Sequence, residues 1–346
     1  LNIFQCSVFL GRRALILCPF LTKMASARNP ATEINSEGQM NVFSKGLATA
    51  ASALVLAAVP VLAQEGPLVT VDWLQENLNN PNVRVFEVSV DTGVYERGHI
   101  PGAVNLAWHT DLVDTVRRDI VSSEGLEATL RNAGVTEDTT IVLYGDNNNW
   151  FAAWGAWVFD MHGLGEVKLL DGGRKLWEAE GLPLDTAAPE YAASDIELAD
   201  EPADLRARLV DVLEVVEGNV DAQLVDIRGP KEYSGEIFAP DGVQELSIRA
   251  GHIPGAVNFP WGGAVNEDGT FKSAEELKAA FAAIGIDGSK PIITYCRIGE
   301  RSSHTWFALK HLLGYDVRNY DGSWTEYGNA VGVPVANLAG TVWTGK

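Results

Sequence analysis

One tract of the sequence has residue types and spacing suited to covalent chemistry: Cys296, Arg297, Ile298, Gly299, Glu300 and Arg301. It follows the apolar run Pro291 to Tyr295, which reads as a strand. The run after it reads as a helix starting near Ser302 or Ser303, with serine as N-cap. A thiol on such a strand-loop-helix turn meets converging loop amides and the positive end of a helix dipole. Arg297 and Arg301 flank it, and Glu300 opposes them slightly. Together these features favour the thiolate, the nucleophilic form of cysteine. A buried, inert cysteine is the plainer alternative. The strand-end position, the two arginines and Gly299 weigh against it.

The other cysteines sharpen this reading. Cys6 and Cys18 lie upstream of a tract, Met40 to Ala63, patterned as a secretory signal peptide. Lys45 gives it a positive start, an Ala-, Leu- and Val-rich run follows, and Val61 and Ala63 are small residues suited to cleavage. Residues 1–39 precede a plausible start at Met40 and have no clear role. Export is therefore expected, to a bacterial periplasm, with no stable membrane association after cleavage. The mature chain would keep Cys296 alone, which cannot form an internal disulfide.

The elements that must position this loop come as a repeat. The tract GHIPGAVN occurs at Gly98–Asn105 and again at Gly251–Asn258. Ile141 to Asp146 matches Ile292 to Arg297, and Val167 to Gly173 matches Val317 to Ser323. The chain thus contains one domain twice. Expected strands are Val83–Ser89, Ala103–Asn105, Ile141–Tyr144 and Val167–Leu170 in the first copy. Their counterparts are Leu224–Ile227, Ala256–Phe259, Ile292–Tyr295 and Val317–Tyr320 in the second. Expected helices are Glu124–Ala133 and Phe151–Met161, then Ala274–Ile284 and Ser302–Leu313. Short apolar strands alternating with helices predict an α/β fold: two tandem domains, each a mostly parallel, doubly wound sheet with helices on both faces. The boundaries expected are 67–182 for the first domain, 183–203 for an Ala-, Asp-, Glu- and Pro-rich linker, and 204–346 for the second.

On the two GHIPGA tracts and the tract YCRIGERSSHTW, the chain resembles the tandem-domain rhodaneses, the family of thiosulfate and 3-mercaptopyruvate sulfurtransferases. The resemblance implies a catalytic second domain and a first domain that has lost its cysteine, with Gly145 or Asp146 in its place. It implies an active site facing the interdomain cleft and a double displacement on Cys296. The cysteine would take a sulfane sulfur from a small donor such as thiosulfate and hand it to cyanide or a thiol. The amides from Arg297 to Arg301 would cradle the sulfur, with Arg297 and Arg301 orienting the leaving oxyanion. No cofactor is implied. Arg297 after the cysteine is closer to the thiosulfate type than to the mercaptopyruvate type, whose loop is built of small residues. Many animal members carry arginine where Glu232 falls, so their substrate contacts do not carry over there. Asp226 and Arg228 match the family's Asp-x-Arg pattern and read as supporting residues.

Other features read more plainly. His99 and His252 recur in both copies, so a structural role fits them better than chemistry. His304 could hydrogen-bond near the loop, or act as a base, but packing or capping suits it better. The six histidines do not form a metal site by spacing. Trp108, Trp154, Trp261, Trp306 and Trp324 read as core or cleft wall. Asn147 to Asn149 read as a polar loop at a helix start, facing the cleft. Acidic residues outnumber basic ones 46 to 26, which argues against nucleic-acid binding. Two fused copies already supply a pseudo-dimer, so a monomer is expected. Two rival functions remain at this point. One is a phosphatase or arsenate reductase, whose loop needs five residues between cysteine and arginine; here the second arginine arrives one residue early. The other is a persulfide carrier that serves a partner protein.

Overall fold

The computed structural model describes residues 66–164, 167–198, 205–244 and 246–344. The upstream segment 1–39 and the signal peptide 40–63 lie outside the described residues. The first copy contributes strands β1 (Leu68–Val69), β2 (Val83–Glu87) and β3 (Val104–Asn105). A small hairpin, β4 (Val113–Asp114) and β5 (Asp119–Ile120), comes next, and β6 (Thr140–Tyr144) and β7 (Val167–Leu170) complete this copy. The second contributes β8 (Arg206–Ala207), β9 (Gln223–Asp226), β10 (Val257–Asn258), β11 (Ile292–Tyr295) and β12 (Val317–Tyr320).

From one edge the order is β1-β7-β6-β2-β3 in the first sheet and β8-β12-β11-β9-β10 in the second. Every pairing within these two sheets is parallel. The central strands TIVLY and IITY are continuous apolar runs because helices cover both faces of each sheet. The duplicated α/β architecture is as expected. The edge strands β1 and β8 are additions, each two residues long and stabilised by pairing with the last strand of its own sheet.

The tract expected as a linker is fastened to the first copy. His99 and Asp185 exchange backbone hydrogen bonds of 2.8 Å in both directions. Tyr191 donates to Gly102 O at 2.6 Å, and the Arg84 guanidinium lies 3.5 Å from the Tyr191 ring centre.

The two copies share a core. The helix Trp150–Met161 of the first packs along the helix Glu300–Phe307 of the second. Burying an aromatic or aliphatic side chain stabilises by about 1.5–3 kcal/mol, and this seam buries Trp154, Trp157, Trp306 and Phe307. Polar contacts add register. Arg206 bridges Asp119 of the first copy and Asp321 of the second, at 2.6 and 2.9 Å. Asp171 Oδ1 accepts the Phe271 N–H at 2.8 Å.

Strand register identifies the first copy's counterpart of the cysteine. Glu87 pairs with Tyr144 as Asp226 pairs with Tyr295. The residue after each tyrosine is Gly145 in one copy and Cys296 in the other. A Cβ at Gly145 would lie 2.2 Å from Val88 O, a backbone atom. No side chain fits there, so the first copy has neither the thiol nor the space for one. Gly145→Ala is expected to destabilise the chain by about 1–3 kcal/mol, the usual cost of overpacking, read from denaturant midpoints.

Candidate active site

The β11 strand ends at Tyr295 and delivers Cys296 to the floor of a cleft of about 760 Å³. Cys296 is 1% exposed. Its loop is braced from behind by the turn after β12. Cys296 N–H donates to Ser323 Oγ at 3.1 Å, Trp324 N–H to Cys296 O at 3.1 Å, and Thr325 N–H to Arg297 O at 2.9 Å. Ser323 holds φ of +50° and donates to Tyr320 O at 2.6 Å.

The Gly299 N–H donates to Cys296 Sγ at 3.1 Å. Gly299 has φ of +105°, and an added Cβ would meet Asp321 Cα at 2.6 Å. The turn therefore requires glycine on both conformational and steric grounds. Its carbonyl is equally constrained. Ser303 Oγ donates to it at 2.9 Å, Asn319 Nδ2 lies at 3.2 Å, and Ser302 Oγ lies at 2.8 Å. Asn319 in turn donates to Ser303 Oγ at 2.9 Å.

Several expectations for this loop need correction. The helix starts at Glu300 with Gly299 as its cap, and Ser302 and Ser303 are buried inside it. Their hydroxyls reach back to Gly299 O, the pattern of serine inside a helix rather than at its cap. Glu300 was expected to oppose the arginines with a negative charge. It is 4% exposed, and burial pushes its carboxyl up to about 8 despite the nearby Arg118 and Arg297. At neutral pH it is mostly uncharged. His304 makes no Nδ1 hydrogen bond; it is buried, stacked on Phe271 at 4.4 Å, and edge-on to Trp261. Burial pulls it down to about 3, so it packs as a neutral ring.

Arg301 lines the cleft beside Cys296. Burial lowers its proton affinity, but the charges of Cys296 and Glu232 more than offset this. Glu232 holds it at 3.4 Å and accepts the Gly229 N–H at 2.9 Å with its other oxygen. Arg297 also lines the cleft, but its Nη1 donates to Gln244 O at 2.8 Å. Ile298 completes the rim.

Asp226 and Arg228 form a buried pair at the end of β9. Arg228 Nη2 donates to Asp226 Oδ2 and to Gly251 O, both at 2.6 Å, and the guanidinium lies 4.7 Å from the Trp324 ring. This pair sits under the loop and fastens the second GHIPGA turn. The first copy builds the same fastening from other residues: Glu87 pairs with Arg174 at 2.8 Å, and Arg174 Nη2 reaches Gly98 O at 2.5 Å. His99 and His252 stack on Tyr95 and Tyr233, and each bonds that tyrosine's carbonyl. Both act as structural parts of the repeat.

The sequence pattern missed three parts of the cleft. Glu232 was read only as a departure from family pattern; its place three residues after the Gly229 helix cap was the available signal. Trp150 and Phe151 come from the first copy's helix start, beside Asn147, which does face the cleft as expected. The third part is an insertion. His252 bonds the tyrosine carbonyl nineteen residues before it, whereas His99 bonds one only four before. The extra length brings Pro240, Gly242 and Val243 to the cleft and Gln244 O to Arg297.

Fold and site together define a tandem α/β protein with one strand-end cysteine in a glycine-cornered loop. The rhodanese-like domain family matches residues 70–180 and 208–330, and the chain belongs to the rhodanese family. It is 51% identical over 278 residues to a "Putative thiosulfate sulfurtransferase" of Saccharopolyspora erythraea, covering 80% of this chain and 98% of that one. It is 52% identical over 275 residues to "Sulfur carrier protein TtuD" of Thermus thermophilus, covering 78% and 96%. Among solved structures, YnjE superposes with a TM-score of 0.65 at 27% identity, covering 78% of this chain and 68% of that one.

The Glu300 carboxyl gives this site a testable pH signature. Below about pH 4.5 it is protonated in both the folded and unfolded chain. Between about 4.5 and 8 only the unfolded chain ionises, so this group's contribution to stability falls as pH rises. Glu300→Gln is expected to flatten the stability profile across that window, relative to wild type, in denaturant titrations at several pH values.

Proposed function

We propose that this rhodanese-family sulfurtransferase moves a sulfane sulfur from thiosulfate to cyanide or a small thiol through a persulfide on Cys296. The observation that carries this reading is the hydrogen bond from Gly299 N–H to a recessed Sγ, with Arg301 beside it. A donor N–H aimed at sulfur stabilises negative charge there, both on the attacking thiolate and on the persulfide. The thiolate attacks the outer sulfur of thiosulfate. The S–S bond breaks, and sulfite leaves with the bonding pair. Cyanide then attacks the outer sulfur of the persulfide, giving thiocyanate and returning the thiolate. The scheme is covalent, ping-pong catalysis. Arg301, oriented by Glu232, supplies the cation for the sulfite oxygens; Arg297 serves chiefly to hold the inserted segment over the cleft.

The likeness to the Thermus protein named a sulfur carrier favours a second reading, in which Cys296 loads once and passes its sulfur to a partner protein. Steady turnover with small donor and acceptor separates the two, since a carrier stalls after loading.

The test is to incubate the chain with thiosulfate and weigh it intact, then add cyanide and assay thiocyanate. A gain of one sulfur atom is expected, lost to cyanide and absent in Cys296→Ser. No gain with thiosulfate or mercaptopyruvate would overturn the reading. Arg301→Gln is expected to lower turnover about 100-fold, the scale for removing one preorganised charge-stabilising donor, while loading of Cys296 at long times persists.

A further inference from the structure

A second cavity, of about 250 Å³, lies beside the Cys296 cleft and takes no part in the steps above. Ile298 and Glu300 line both spaces, so the reactive loop is the partition between them. The remaining walls come mainly from the first copy. Trp108 and Trp154 meet edge to face, with ring centres 6.1 Å apart. The volume exceeds the roughly 150 Å³ apolar cavity that suffices for benzene.

The charges around this cavity are asymmetric. Asp119 and Asp321 line it, but both are paired with Arg206. Glu300 is buried and mostly neutral. Arg118 also lines it; its charge acts on the Glu300 carboxyl, and among the described residues its guanidinium forms no hydrogen bond or salt bridge. Its backbone holds φ of +53°, in the left-handed region, within the tight turn joining β4 to β5. Non-glycine residues rarely adopt that conformation, and they do so where the surrounding structure over-determines it. The Asp114 carboxylate fixes the turn by accepting the Val116 and Arg117 N–H groups.

A guanidinium with no salt-bridge partner, whose nearest carboxyl is held toward its neutral form by burial, suits an anion carried on a flat apolar body when it stands beside an aromatic-walled cavity. We propose that this cavity is a second binding site, for a small aromatic carboxylate, with Arg118 pairing the carboxylate and the Trp108 and Trp154 rings enclosing the ring system. The occupant rests against Ile298 and Glu300, on the far side of the loop from Cys296. The site takes no sulfur and is independent of which donor the cleft accepts.

The test is calorimetric titration of the chain with 2-naphthoate and with neutral 2-naphthamide. Saturable one-site binding of naphthoate is expected, with the amide weaker by about tenfold, the scale of one charge-assisted hydrogen bond. Arg118→Gln should weaken naphthoate by about the same factor, and Arg118→Lys should keep part of the affinity. Arg118 is exposed, so these variants keep the fold. Cys296→Ala, and saturating thiosulfate, should leave naphthoate affinity unchanged. Absence of saturable binding, indifference to Arg118→Gln, or displacement by thiosulfate would each overturn the assignment.

Discussion

The reactive loop depends on how Gly299 is held. Its N–H must face Sγ while its carbonyl turns into the protein, and only a positive φ allows both. Such a corner is weakly determined by its own backbone, because glycine has the most conformational freedom to lose. The buried set of Ser302, Ser303 and Asn319 supplies the determination by converging on the carbonyl. Buried polar networks are valuable when their members are satisfied and costly when they are not. Asn319 comes from β12 and the serines from the following helix, so the corner ties strand, loop and helix into one unit. Burial pushes the Glu300 carboxyl toward its neutral form, which weakens the repulsion a carboxylate one residue after this corner would exert on a sulfur anion.

The repeat supplies the same frame twice, and a cysteine follows the central strand in only one of the two described copies. Both copies bury a carboxylate at the end of their second strand and pair it with arginine, and both arginines reach the glycine carbonyl before the histidine of the repeat. Breaking such a buried pair typically costs about 3–5 kcal/mol, so the pairing persists even where the residues that provide it change. The first copy takes its arginine from a helix, Arg174; the second takes Arg228 from the loop after its strand. The first copy is not idle. Its helix at Trp150 walls the cleft, and Arg206 and Asp171 fix it to its neighbour.

The repeat, the parallel sheets and the position of Cys296 were legible because each is written as a local pattern: identical tracts, continuous apolar strands, and a cysteine directly after one of them. What escaped was set by tertiary contact. A strand of two residues, such as Leu68–Val69, has no periodicity to detect. The exchange of Arg228 for Arg174 cannot be seen by aligning the copies, since the two arginines do not align. Ser302 and Ser303 carry the composition of a helix cap, and only the burial of both, with Asn319 beside them, shows that they face backward. The ionisation of Glu300 was misjudged for a related reason, because sequence reports a charge and burial decides whether it exists.

Loop length bears on the choice among chemistries. A cradle for a tetrahedral oxyanion needs five residues between cysteine and arginine; here four intervene before Arg301. Only Gly299 N–H is directed at sulfur among the described hydrogen bonds, and Arg301 lines the cleft beside Cys296 with Glu232 at 3.4 Å. That loop length, with a single N–H on sulfur, favours the proposed sulfane-sulfur chemistry over a phosphate cradle. Selectivity among sulfur compounds then falls to the rest of the cleft, which owes little to the repeat. Pro240, Gly242 and Val243 come from the insertion, and Trp150 and Phe151 from the other copy. Because the Arg297 side chain fastens that insertion through Gln244 O, the second residue of the loop shapes the cleft by holding its wall. A loop of small residues after the cysteine would lack this bond and release that wall, so the residue after the cysteine can change the shape of the cleft without touching the sulfur.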